Sequence, residues 1–370
     1  MAFYSVNNPL SYNPYELFCM GERRHGKSFN WVHFFLKKPL TYILNNKLED
    51  KEQAKKQFIF IRRYDTELSI SEFLGAIYEI IDSEDKGKFY RKNRIFKKDI
   101  SIKVVDKIAR IYYKSHQIGL YHCLSKAQYI KSNISNIVNY SYLVFEECLI
   151  MKGQPLHYLP NEVNLFNELK ATFTKFNGTA CVHELELIVL IANCMSFNNP
   201  YFIAWNIPVF EGEFYVQKFK NKNNENVVRL IQNDKFDDDL EEAKKSSKFG
   251  AVNQNTAYGD YFINNESLAE NKDFIIEKFN GYGVYNFYYK RQLLTLYTNN
   301  QYFYFSNKVN KTLKTYYITR EDNTINTLSF FGNKYLKDAL KNAYQQGAIY
   351  YNNMIIKSLV YEIFNILNID

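Results

Sequence analysis

Residues 21–28 read Gly-Glu-Arg-Arg-His-Gly-Lys-Ser and meet G-x-x-x-x-G-K-[ST] at every fixed position. No other feature constrains the fold as much, because such a loop works only between a strand and a helix. Both flanks comply. The apolar run Tyr-Glu-Leu-Phe-Cys-Met (15–20) ends at Gly21, and from Ser28 onward Phe29, Val32, Phe35 and Leu36 recur at helical spacing. Gly21 and Gly26 let the backbone turn so that its N–H groups face phosphate oxygens, and the following helix presents its positive end to the same oxygens. Lys27 is expected to reach the β- and γ-phosphates, and the Ser28 hydroxyl to ligate Mg²⁺. ATP and Mg²⁺ are therefore the expected cofactors. Glu22, Arg23, Arg24 and His25 fill the loop. The two arginines either add charge at the γ-phosphate, face a neighbouring subunit, or are ordinary surface residues.

A P-loop needs a second, acidic strand end. Residues 142–147, Tyr-Leu-Val-Phe-Glu-Glu, put two carboxylates after four apolar residues, as suits a strand ending at a phosphate crevice. Glu146 is expected to face Mg²⁺ and Glu147 to take a proton from the attacking water. A solvated acidic pair capping a strand is the rival reading. Glu146 stands where Asp is usual, so its carboxylate sits about 1.5 Å further out. Asn193 closes another apolar run, Glu186–Asn193, either to sense the γ-phosphate or to cap a turn.

Apolar runs at 58–61, 142–145 and 186–193, with helical stretches such as 68–82, imply an α/β fold on a parallel sheet. The chain has 370 residues, enough for two domains at roughly 100–200 residues each. Residues 1–206 are expected to form the P-loop domain. The charged stretch 207–240 reads as a linker or lid, and 241–370 as a second domain. Beyond residue 270, short aromatic strands separated by turns read as an antiparallel meander, followed by helices near 334–346 and 354–367. No apolar run reaches the ~18–20 residues of a membrane helix, and the N-terminus lacks a signal-peptide pattern. The expectation is a soluble, non-secreted protein with no membrane partner. Five cysteines without C-x-x-C spacing suggest reduced core residues. A net charge of +8 permits a polyanionic partner without requiring one.

The chain resembles the DNA-packaging ATPases of small podoviruses of the phi29 type. The likeness runs through GERRHGKS (21–28), FIFIRRYDTEL (58–68), LSKAQYIKSN (124–133), LVFEE (143–147), YLPNEVN (158–164), NNPYF (198–202), KFGAVNQNTAYGDY (248–261) and MIIKSLVYEIFNI (354–366). The resemblance implies an ASCE-type ATPase domain and a C-terminal RNase H-like domain without nuclease activity. It implies a homopentameric ring at the portal vertex of a procapsid in the host cytoplasm. Its partners there would be double-stranded DNA, a portal protein and a packaging RNA. The family supplies a trans-acting arginine just before the strand matching 186–193. This chain has no Arg between Arg110 and Arg229. Lys170 and Lys175 occupy the corresponding window, and Lys131 is a further trans candidate. A lysine neutralises charge but lacks the arginine fork.

From Lys278 through Arg320 the second half contains no Asp or Glu. Two-metal nuclease chemistry needs carboxylates, so that stretch argues against a nuclease. Its lysines among aromatics suit nucleic-acid contact or simply the wet face of a sheet. Against the motor stand two rivals, a P-loop NTPase unrelated to DNA and a non-enzymatic nucleic-acid-binding scaffold.

Overall fold

The computed structural model describes residues 4–21, 26–49, 52–133, 137–150, 157–178, 180–193, 199–207, 210, 212–234, 242, 244–253, 274–290, 292–367 and 369. The chain divides into two compact units, one from Met1–Met195 with Glu211–Leu268, the other from Ser196–Phe210 with Ala269–Asp370.

The first unit is built on a nine-stranded sheet. Its strands are β1 (Glu16–Gly21), β2 (Gln57–Arg62), β3 (Ile100–Val105), β4 (Ile108–Tyr113), β5 (His116–Cys123), β6 (Tyr140–Glu146), β9 (Leu187–Ile191), β10 (Phe214–Lys220) and β11 (Asn226–Asp234). A separate two-stranded hairpin, β7 (Lys175–Asn177) with β8 (Ala180–His183), precedes β9. The order across the large sheet is β10-β11-β1-β9-β6-β2-β5-β4-β3. From β11 to β5 every neighbouring pair is parallel, while β10, β4 and β3 join antiparallel at the two edges. The apolar runs of β1 and β9 are buried along their whole length, as strands covered on both faces must be.

Helices α1 (Asn7–Leu10), α2 (Lys27–Asn46), α3 (Ile70–Asp82), α4 (Gly87–Lys92), α5 (Ala127–Asn133) and α6 (Glu162–Thr172) accompany this sheet. Helix α2 carries Trp31, Phe35 and Leu36, each 0% exposed. Phe35 meets Phe58 of β2 and Tyr142 of β6 at ring distances of 6.4 and 5.5 Å. That contact fixes the helix over the middle of the sheet, so its N-terminus lies at the C-terminal ends of the strands.

Within the 207–240 stretch, Phe214–Lys220 and Asn226–Asp234 are strands of the large sheet and not a linker. Strand β11 pairs with β1 from Glu16↔Arg229 to Gly21↔Asp234, and β10 pairs with β11. Polar residues alternate along β10 because it is an edge strand, and that polarity resembles a linker in sequence. Domain continuity is broken instead by Ser196–Phe210, which joins the second unit. Cys181 also departs from expectation, being exposed, whereas Cys19, Cys123 and Cys148 are buried. Cys194 lies outside the described residues. No described helix is long and apolar enough to cross a membrane.

The second unit holds β12 (Tyr282–Tyr289), β13 (Gln292–Thr298), β14 (Phe303–Ser306), β15 (Thr315–Tyr317), β16 (Leu328–Ser329) and β17 (Ile349–Tyr351), ordered β16-β15-β12-β13-β14-β17. The first three strands form the expected meander. The fourth does not extend it, because β15 crosses back and pairs parallel to β12 on its other side. One face packs Phe287, Leu294, Leu296 and Phe305 into a core shared with the helices Lys334–Gln345 and Met354–Leu367. On the other, Asn286 and Thr295 are buried too, 1% and 0% exposed.

Candidate active site

Strand polarity gathers the candidate residues. Gly21, Arg62, Glu146, Asn193 and Asp234 all stand at or just past the C-terminal ends of parallel strands, and α2 begins there too. Such a crevice, outside the carboxyl ends of an open α/β sheet, is where ligands bind.

Gly21 closes β1 at φ 148°, with its backbone against Asp234. A Cβ there would lie 2.7 Å from Asp234 Cβ, so only glycine fits. Gly26, at φ 82°, forms the N-cap of α2, and its carbonyl accepts from the Asn30 backbone N–H at 2.9 Å and from Asn30 Nδ2 at 2.8 Å. Lys27 is 3% exposed and points inward. Its charge is felt by the Cys19 thiol of β1, which burial pushes up to about 12 while Lys27 draws it back. Glu22, Arg23, Arg24 and His25 lie outside the described residues.

The acidic strand end assembles as expected, with an addition. The Ser28 hydroxyl stands close enough to the Glu146 carboxylate to favour its charged form, so the two expected metal ligands face one another in the crevice. Burial raises the Glu146 pKa above the ordinary carboxylate range and the Glu147 charge adds to this, whereas Arg62 and Ser28 oppose it. Arg62, the last residue of β2, bridges both acids: Nη2 lies 3.1 Å from Glu146 Oε2 and Nη1 lies 2.8 Å from Glu147 Oε2. The hydroxyl of Tyr121, on the neighbouring β5, donates to the Glu67 carbonyl at 3.4 Å. Glu147 has φ 53°, a left-handed backbone that residues with a Cβ rarely adopt. Asn193 is half-buried. It lies two residues beyond Ile191, which pairs with Cys19 on one side and Glu146 on the other, between the P-loop strand and the acidic strand.

Arg62 is the crevice residue missing from the sequence reading. The signal was a strand ending in Arg-Arg near two carboxylates that need a counter-charge, but only the β2–β6 pairing brings them together.

The lysine candidates fare unevenly. Lys170 is not available: it is partly buried at the N-terminal end of β1, ion-paired with Glu16, whose other oxygen lies 2.6 Å from Arg229 Nη2. Burial alone would raise the Glu16 pKa, yet Lys170 and Arg229 outweigh it and leave it lowered. Lys131 pairs with Glu168 of its own chain at 2.7 Å. Lys175 is exposed on β7 and carries no ion pair among the described residues. Its hairpin feeds the N-terminal end of β9, opposite the crevice, so Lys175 lies away from its own subunit's site.

A family model described as podovirus DNA encapsidation protein (Gp16) matches residues 1–369. The DNA packaging protein of Bacillus phage phi29 is 24% identical over 376 residues, spanning 100% of this chain and 98% of that protein. The DNA packaging protein of Bacillus phage B103 is 24% identical over 371 residues, spanning 98% and 100%. Among solved structures, a chain of the bacteriophage Phi-29 viral genome packaging motor assembly shares the fold with a TM-score of 0.66 at 24% identity, covering 99% of this chain and 100% of that one.

Proposed function

The chain belongs to the podovirus DNA encapsidation protein family, and from that premise we propose that it is a P-loop ATPase that drives double-stranded DNA into a procapsid. The observation that carries the ATPase reading is the meeting of Ser28, Glu146, Glu147 and Arg62 at the mouth of the P-loop. The strand order supports an ASCE-type assignment, because β9 lies between the P-loop strand and the acidic strand. In the second unit, the order β14-β13-β12-β15-β16 with a parallel fourth strand supports an RNase H-like assignment.

In this reading the α2 N-terminus and Lys27 bind the phosphates. Ser28 and Glu146 would hold Mg²⁺; both offer hard oxygen donors, and two such side chains suit a cation otherwise ligated by water and phosphate. When bound, the ion neutralises charge on the phosphates. Glu147 orients water and accepts its proton. With Arg62 on its carboxylate, Glu147 is a salt-bridge partner and not a base, so taking up its role requires the Nη1 contact to open. Asn193 is positioned between the two strands to sense the terminal phosphate. The reading extends to a homopentameric ring at the portal vertex, with packaging RNA as a further partner. The heterologous contact of a ring lets one subunit's basic residue reach its neighbour's crevice, and Lys175 is the candidate of choice because it is exposed and no ion pair holds it among the described residues.

Steady-state ATP hydrolysis by the full-length protein, with and without double-stranded DNA, tests this. Turnover stimulated by DNA and reduced about 100-fold or more in Lys27→Ala is the expected result. Turnover indifferent to both changes would point to an NTPase without a DNA track.

A further inference from the structure

The residue after Arg62 performs a different task from Arg62 itself. Arg63 is 1% exposed, among the most buried charges in the described chain. One edge of its guanidinium forms a bidentate pair with Glu162 at the start of α6, Nε to Oε2 at 2.7 Å and Nη2 to Oε1 at 3.2 Å. Two further donors turn to main chain. Nη1 donates to the Glu147 carbonyl at 3.1 Å and Nη2 to the Cys148 carbonyl at 2.6 Å. The rings of Phe145 and Tyr158 lie 5.5 and 5.1 Å from the guanidinium carbon. Glu162 is fixed in turn, since its Oε2 also accepts from the Leu159 N–H at 2.8 Å. The Cys148 N–H donates to the Ile191 carbonyl at 3.1 Å, tying the same turn to the end of β9.

We propose that Arg63, oriented by Glu162, is a positioning residue for Glu147. It clamps the backbone that carries the base and leaves the side chain to Arg62 and the nucleotide. This rests on the ATPase reading given above. Three features carry it. Glu147 holds a left-handed backbone that it would not choose, so something must over-determine it. The donors that do so are aimed at carbonyls 147 and 148, the main chain of the turn itself. The fork is itself locked by a buried partner with both oxygens engaged. A lysine at 63 keeps the charge but cannot donate to Glu162 and to two carbonyls in one plane. The Glu147 carboxylate would then wander from the attacking water, and misplacement on the scale of 1 Å costs rate, not ground-state affinity.

The test uses the full-length protein with Arg63→Lys, Glu162→Asp and, as reference, Glu147→Gln. Glu162→Asp keeps the ion pair but draws the guanidinium back by about 1.5 Å, so it still reports if Arg63→Lys fails to fold. The readouts are kcat and KM for ATP, Mg·ATP affinity and the thermal midpoint. The expected result is a kcat lower by roughly tenfold or more, with KM and Mg·ATP affinity within about twofold because the P-loop is untouched. A folded variant with unchanged kcat overturns the proposal, as does a parallel loss of kcat and nucleotide affinity. If the wild type does not turn over ATP, the ATPase reading itself falls; if Glu147→Gln turns over like the wild type, Glu147 is not the base and the present proposal falls with that role. If Glu147→Gln is inactive while Arg63→Lys and Glu162→Asp run at full rate, only the present proposal falls.

Discussion

The two sheets bury polar groups in opposite ways. In the first unit, Lys27, Ser28, Arg62, Glu146 and Glu147 converge at strand ends as charges or their direct partners, and Arg62 and Glu147 remain 23% and 41% exposed at the side chain. In the second, the polar ring buried between β12 and β13 is neutral and closed. The Thr295 hydroxyl donates to Asn286 Oδ1 at 2.7 Å, Asn286 Nδ2 donates to the Asn310 carbonyl at 2.9 Å, and the Asn310 N–H donates back to Thr295 at 3.1 Å. Every hydrogen bond of that small ring has a fixed partner within the unit. Partly buried charges cost desolvation and are retained where a ligand's charge can use them. A saturated neutral ring needs no ligand and specifies packing.

Replacing Asn286 should break the comparison from the structural side. Asn286→Asp sets a carboxylate against the carbonyls of Asn310 and Leu313, which accept from Nδ2. A loss of about 1–3 kcal/mol in stability is expected, read by denaturant unfolding, with turnover per folded molecule unchanged. A fall in turnover at constant stability would place chemistry in the second unit after all.

Arg62→Gln sharpens the crevice side. Burial and Glu147 raise the Glu146 pKa, and Arg62 opposes them. Removing Arg62 leaves the raising influences less opposed, so Glu146 should keep its proton to higher pH. Because the metal competes with that proton, the acid limb of kcat/KM for ATP should move to higher pH. An acid limb that does not move would remove Glu146 from the metal site.

The smallest effect concerns the far end of β1. Glu16 has a lowered folded-state pKa, since Lys170 and Arg229 outweigh its burial. Its contribution to stability is complete above the unfolded value of about 4.3 and is lost as the pH falls through the lower folded value. Glu16→Gln should therefore flatten the acid dependence of unfolding and leave the pH profile of hydrolysis in place.

Much of this was legible because parallel strands covered on both faces leave continuous apolar runs. FIFI, YLVF and ELIVLIAN correspond to β2, β6 and β9, and the P-loop identified both β1 and the start of α2. Edge strands carry no such mark. Residues 214–234 alternate apolar with Lys, Gln and Asn and pass for a linker, although β11 lies directly beside the P-loop strand. Residues 100–123 went unread because Lys103, Arg110 and Lys114 interrupt their alternation on the exposed edge. The return of β15 to pair parallel with β12 is a matter of topology, which no local pattern encodes. The same holds for Arg62 and Arg63. The doublet is plain in the sequence, but its division between acid side chains and main-chain carbonyls depends on β2 lying next to β6.

The account turns on Glu147 acting as the base at a crevice that binds nucleotide without it. The most direct measurement compares Mg·ATP affinity and steady-state hydrolysis in the wild type and in Glu147→Gln. The account predicts affinity within about twofold and turnover lower by roughly 100-fold or more. Turnover retained in Glu147→Gln would contradict it and move the chemistry away from the end of β6.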